Sequence, residues 1–110
     1  MIIGNFESAQ DGYAGRLQTL RVDAELNIVP AQPSDTENAP QWRVMLGEGE
    51  FAIEIGAGWN RTGARAGAYI AVQIDDPTLP KPLRANLVRS HHEPQEYQLL
   101  WSRPAPRKAK

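Results

Sequence analysis

Every second residue from Leu20 to Ile28 is apolar: Leu20, Val22, Ala24, Leu26 and Ile28, with Arg21, Asp23, Glu25 and Asn27 between them. A period of two sends successive side chains to opposite faces of a pleated strand, so this segment has one dry face and one wet face. Such a strand cannot bury its apolar side alone and needs another sheet, or the far wall of a barrel, across the core. The rhythm recurs. "QWRVML" places Trp42, Val44 and Leu46 on one face, Phe51, Ile53, Ile55, Ala57 and Trp59 alternate next, and Ile70, Val72 and Ile74 follow. "LRANLV" at 83–88, "EYQLLWS" at 96–102 and "GYAGRLQTL" at 12–20 read as further strands.

Two details refine this pattern. In "GYAGRLQTL" Tyr13 and Leu17 lie on odd positions, so the apolar parity switches before Leu20. A one-residue slip would turn the core face outward, and a bulge or bend near Gln18–Thr19 is the expected repair. On the strand ending at Trp59, the positions opposite the apolar face are Ala52, Glu54, Gly56 and Gly58. Small residues there let a strand coil tightly for barrel closure, or leave a flat glycine surface beside Trp59 for a ligand or partner chain.

Between these segments stand "PAQPSDTENAP", "GEGE", "NRTGARAG", "DDPTLPKP" and "RSHHEPQ", rich in residues that turn the chain, and no stretch carries a helical stripe. The expectation is one all-β domain over residues 1–103, an antiparallel meander of about seven strands forming a small barrel or sandwich. The last residues, "PAPRKAK" at 104–110, read as a disordered basic tail.

Composition narrows the chemistry. The chain has no cysteine, which removes disulfides, thiolate nucleophiles and cysteine-based zinc sites. Its apolar runs are far shorter than the ~20 residues a membrane helix needs. The start "MIIGNFESAQDG" lacks a basic segment followed by an apolar one, so the expected location is cytoplasmic. The charge is lopsided. Through Trp59 there are nine acids against three arginines, a net of −6, and from Asn60 onward nine bases against four acids, a net of +5. That split points to an acidic or nucleic-acid partner for the basic half, unless strands of both halves interleave and mix the charges.

The candidate sites differ in strength. "HHE", His91 to Glu93, has metal-like residue types, but neighbouring residues diverge and zinc needs three or four converging ligands. "DDP", Asp75 and Asp76, has the form of a carboxylate pair and equally that of a turn in which aspartate bonds the backbone. None of the four serines sits in a G-x-S-x-G elbow, and "GARAG" lacks the lysine of a phosphate loop. No catalytic residue, metal site or cofactor is therefore assigned, and a non-enzymatic protein is expected. Rings and guanidinium groups lie close in sequence at Trp42–Arg43, Trp59–Arg61 and Trp101–Arg103, the materials of single-strand recognition. Trp42 and Trp59 nevertheless fall on the core faces of their strands. The residues assigned to phosphate contact are Arg61, Arg65, Arg84, Arg89 and Arg103.

Gly4 and Phe6, "GYAGRLQTL", "NAPQWRV", "EIGAGW", "YIAVQIDDP", "LRANLV" and "YQLLWSR" follow one another in an order that resembles the bacterial domain-of-unknown-function family 736 over nearly the whole chain. The resemblance implies a small single-domain protein of alphaproteobacteria, often encoded on plasmids or other mobile genetic elements. No activity is assigned to that family, so it carries over no site residues, and the "HHE" loop departs from its pattern. Two functional expectations follow. One is an accessory protein of a mobile element that binds DNA or RNA through its basic C-terminal half. The other is a protein-interaction module, pairing through an edge strand or as a homodimer, without nucleic acid.

Overall fold

The computed structural model describes residues 1–64 and 67–103. They form β1 (Ile2–Ala9), β2 (Gly12–Gln18), β3 (Asp23–Pro30), β4 (Trp42–Leu46), β5 (Ile53–Gly63), β6 (Gly67–Ile74), β7 (Leu83–Arg89) and β8 (Glu96–Leu100). Each strand pairs antiparallel with the next, and β1 pairs with β8, so the sheet closes into an eight-stranded barrel in sequence order. The tail at 104–110 and Arg65 lie outside the described residues.

An eight-stranded barrel is just narrow enough for its own side chains to fill. Phe6, Leu26, Ile28, Val44, Leu87 and Leu99 are its largest fully buried side chains. Burying each of these stabilises the fold by roughly 1.5–3 kcal/mol. Ile3, Leu17, Ile70, Val72, Ile74 and Ala85 complete the core, and Val22, Ala24, Ile55, Tyr13 and Trp42 pack against it. Charged side chains stand outside: Arg16 pairs with Asp23, and Arg43 with Glu54 at 2.8 Å. Apolar inside and charged outside is the reverse of a lipid-spanning barrel's arrangement. Among the described residues no helix is long and apolar enough to cross a membrane.

The structure corrects the alternation in three places. Leu20 does not face the core. Thr19 and Val22 close a tight turn through Thr19 N–H and the Val22 carbonyl, and Leu20 at its tip is fully exposed. The parity switch is thus the β2–β3 hairpin itself rather than a bulge. The strand beyond the seven marked by alternation is β1, whose rhythm is broken by a register shift between Ile2 and Gly4 that turns both Ile3 and Phe6 inward.

The third correction decides where the functional residues point. In the β4–β5 pairing Val44 faces Gly56 but Met45 faces Glu54, so Ile55 is an extra residue on β5. Such a bulge inverts the parity of everything after it. Gly56 and Gly58 pair with the inward-facing Ile74 and Val72, and so line the core, while Ala57 and Trp59 face out. Upstream, Phe51 lies in a 3₁₀ turn at Gly49–Phe51, and both Phe51 and Ile53 are exposed.

The glycines fit because the interior has no room. A Cβ on Gly58 would stand 2.8 Å from Ile70 Cγ2 and 3.2 Å from Trp42 Cβ. One on Gly56 would overlap the Gln73 carbonyl oxygen and come within 3.1 Å of Ile74 Cα. Because main chain cannot yield as a side chain can, Gly56→Ala is expected to lower unfolding stability by about 1–3 kcal/mol or more in urea titrations. Ala57→Ser, one residue along on the outer wall, is expected to change it by less than about 0.5 kcal/mol.

Candidate nucleic-acid interface

The bulge at Ile55 sets Trp59 and Arg61 on the outer wall of β5, where Trp59 pairs with Ala71 and Arg61 with Tyr69 of β6. Next to β6, β7 presents Arg84 opposite Gln73 and Asn86 opposite Ala71. Ala71 is small, so the wall dips between the larger side chains. The result is a shallow groove of about 380 Å³ lined by Trp59, Arg61, Gln73, Arg84 and Asn86, with Ala71 beneath. Among the described residues its lining carries two arginines and no carboxylate. Trp59 is fixed in orientation, because its Nε1–H donates to the Asn38 carbonyl (2.8 Å) in the loop between β3 and β4. Asn38 holds that carbonyl with a left-handed φ of 63°.

The β5–β6 hairpin also projects. Its pairing continues to Gly63 opposite Gly67, whereas β4 stops at Trp42 opposite Gly58 and the β6–β7 pairing ends at Ile70 opposite Leu87. Arg61 and Tyr69 therefore sit side by side on a two-stranded ribbon that stands above its neighbours. Under the ribbon, at the same end of the barrel, a second hollow of about 490 Å³ is bordered by Arg61 again, with Arg89, Tyr13 and Tyr97. Arg89 closes β7, its guanidinium 5.9 Å over the Tyr97 ring and its Nη2 donating to the Tyr97 hydroxyl (3.5 Å). That hydrogen bond holds the Arg89 pKa above its ordinary value. Burial, then the neighbouring Tyr97, pushes the Tyr13 phenol up as well.

Of the residues assigned to phosphate contact, the fold thus gathers Arg61 with Arg84 on the wall and Arg61 with Arg89 at the mouth. Arg103 stands apart: it follows β8 at the opposite end of the barrel, 5.4 Å over the Trp101 ring. Of the ring–arginine neighbours in sequence, Trp59 and Arg61 share a groove and Trp101 and Arg103 stack. Trp42 and Arg43 separate, because Trp42 turns inward onto Tyr13 (ring centroids 5.4 Å apart) while Arg43 binds Glu54 outside. Tyr13, Tyr69, Tyr97 and Asn60 were invisible as site residues in the sequence, since nothing in their local pattern says that these strand ends share one mouth.

The opposite wall is acidic. Asn5, Glu7, Arg16, Glu25, Glu48 and Glu96 border a groove of about 560 Å³ over Ala14 and Gly15. Glu7 lies directly opposite Glu96 in the β1–β8 pairing, and Arg16 is engaged by Asp23. This groove repels phosphate. The other candidate clusters are local structure. His91 and His92 are exposed in the β7–β8 turn, where His92 N–H donates to Ser90 Oγ (3.1 Å). The Asp76 carboxylate accepts from Thr78 N–H (2.9 Å) and from the Thr78 hydroxyl, closing the turn after β6.

Those two bonds hold the Asp76 pKa below its ordinary 3.8. A carboxylate with a lowered folded-state pKa stabilises above the unfolded value, and that contribution is lost as pH falls through the folded one. Asp76→Ala is therefore expected to be less stable than the parent at neutral pH. The gap in urea midpoint should close once acid protonates the carboxylate.

A family model described as "Protein of unknown function (DUF736)" matches residues 2–104. No curated protein and no solved structure matches the chain.

Proposed function

The chain belongs to the DUF736 family of proteins of unknown function, and on the geometry of its outer wall we propose that it is a non-enzymatic binding module for single-stranded nucleic acid. One observation carries this reading: Trp59 shares a groove with Arg61 and Arg84, its row along the strands falling between theirs, and among the described residues the lining holds no acid. Every base has a face that can lie on an indole, so stacking holds a strand without selecting its sequence. Guanidinium groups on either side track the phosphates and set the strand's direction along the wall. A flat, open groove suits an unpaired strand, whose bases are free to turn toward the protein. The setting we assign is the cytoplasm, and the accessory gene set of a bacterial plasmid or other mobile element, the latter being what the family resemblance implies.

Fluorescence titration with single-stranded and duplex oligonucleotides at two salt concentrations tests the proposal. Single strands should bind more tightly than duplex, with an affinity that falls as salt rises. Arg61→Gln and Arg84→Gln should each weaken binding alike for all sequences and reduce the logarithmic salt slope by about 0.7. Trp59→Ala should cost about 1–3 kcal/mol of binding free energy. Absence of single-strand binding at low salt overturns the proposal.

A second reading, interaction with another protein, has its own supporting observation. Leu20 (104% exposed), Phe51 (87%) and Ile53 (60%) are large apolar side chains displayed at the end of the barrel opposite the aromatic mouth. Barrel closure leaves no full-length edge strand among the described residues, so a partner is placed on this apolar end. In that case sedimentation shows a concentration-dependent dimer that Phe51→Ser with Ile53→Ser abolishes. Under the nucleic-acid reading the same double variant leaves oligonucleotide affinity unchanged.

A further inference from the structure

The mouth beneath the β5–β6 ribbon is built differently from the wall beside it. Its floor is aromatic: Tyr13 and Tyr97 meet edge to face with ring centroids 4.7 Å apart, and the Trp42 ring is tilted against Tyr13 at 5.4 Å. Asn60 is held beside Trp42, its Oδ1 accepting from Trp42 Nε1–H (2.8 Å) and its backbone N–H donating to Gln41 Oε1 (2.9 Å). With its carboxamide oxygen so engaged, Asn60 offers its amide N–H groups to a ligand. Two guanidinium groups, Arg61 and Arg89, complete the border, and among the described residues the lining contains no carboxylate. A hollow of about 490 Å³ falls in the range of small-molecule sites.

We propose that this mouth takes a single nucleoside monophosphate unit, its base in the hollow beside the Tyr13–Tyr97 pair and its phosphate drawn to the Arg61 and Arg89 guanidinium groups that border it. The chemistry required is a flat ring with acceptors on its edge joined to a dianionic phosphate. The rings supply the surface, Asn60 an edge donor, and the arginines the paired forks for phosphate oxygens. Arg61 borders both the wall groove and the mouth, so a strand lying across Trp59 leads directly into it. The occupant is then the strand's terminal nucleotide, an identification that rests on the wall's proposed function; a free mononucleotide presents the same chemistry.

Three probes separate these cases with the full chain: a closed circular single strand, linear strands of the same sequence phosphorylated at the 5′ or the 3′ end, and dAMP. If the terminus is captured, a linear strand binds roughly tenfold more tightly than the circle, about the effect of one charge-assisted contact. Arg89→Gln, at an exposed position bordering only the mouth of the two cavities, should abolish that preference, so that the linear strand binds no more tightly than the circle. Should linear and circular strands bind equally while dAMP saturates the parent and not the Arg89→Gln variant, the mouth is a mononucleotide site whose occupant is free. Equal binding of both strands with no saturation by dAMP overturns the inference and leaves the wall's function standing. Binding of dAMP with no binding of any strand overturns the wall's function and not the mouth's.

Discussion

Pairing of β1 with β8 is the constraint from which the distribution of charge follows. A sheet that meanders and then closes on its first strand places strands around the barrel in the order in which they occur in the chain. Strands of the two halves never interleave, so a difference in charge along the sequence becomes a difference between walls. Glu7, Glu25, Glu48 and Glu96 border one groove, and Arg61 and Arg84 border another on the far side. Four of the nine bases after Trp59, namely Arg65, Arg107, Lys108 and Lys110, lie outside the described residues.

A single inserted residue determines which side chains that basic wall presents. Without the bulge at Ile55, Trp59 would point into a core already filled by Val72 and Ile74, and Gly56 and Gly58 would lie outside, where any side chain fits. With it, the glycines take the interior positions opposite those two branched residues and the indole is displayed on the surface. The same inserted residue that displays the indole on the wall therefore makes the interior packable. Core and site are coupled through one strand.

This explains what could be read from the sequence and what could not. Leu26, Ile28, Val44, Val72 and Ile74 are all buried, as strict alternation requires, and the all-β class follows from them. Alternation fails where a strand carries an extra residue or ends early, because parity is conserved only along an uninterrupted ladder. Hence Ile3 and Phe6 share the interior across a register shift, and Leu20 leaves it at a hairpin. The clue to β5 was present in the unusual Gly-Ala-Gly run, but reading it required the partner strand. Arg61 and Arg84 were nameable as cations from sequence; their common groove depends on β6 lying between them, and the strand order supplies that.

On the proposed function, the placement of acids limits how a strand can lie on this barrel. Screening confines unpaired surface charges to interactions within about 8 Å at physiological salt, so the acidic wall does not weaken contacts made across the barrel. It does oppose a strand that tries to wrap around, since passing β8 toward β1 brings phosphates onto Glu96 and Glu7, which already face each other. At the other flank, Arg43 is engaged by Glu54 and offers less charge than its position suggests. The unopposed route runs from Arg84 over Trp59 to Arg61, and there the projecting ribbon turns it toward Arg89 and the aromatic floor. A short strand held along one wall with its end at the mouth satisfies every cation on that route, whereas one wound around the barrel satisfies fewer and meets carboxylates.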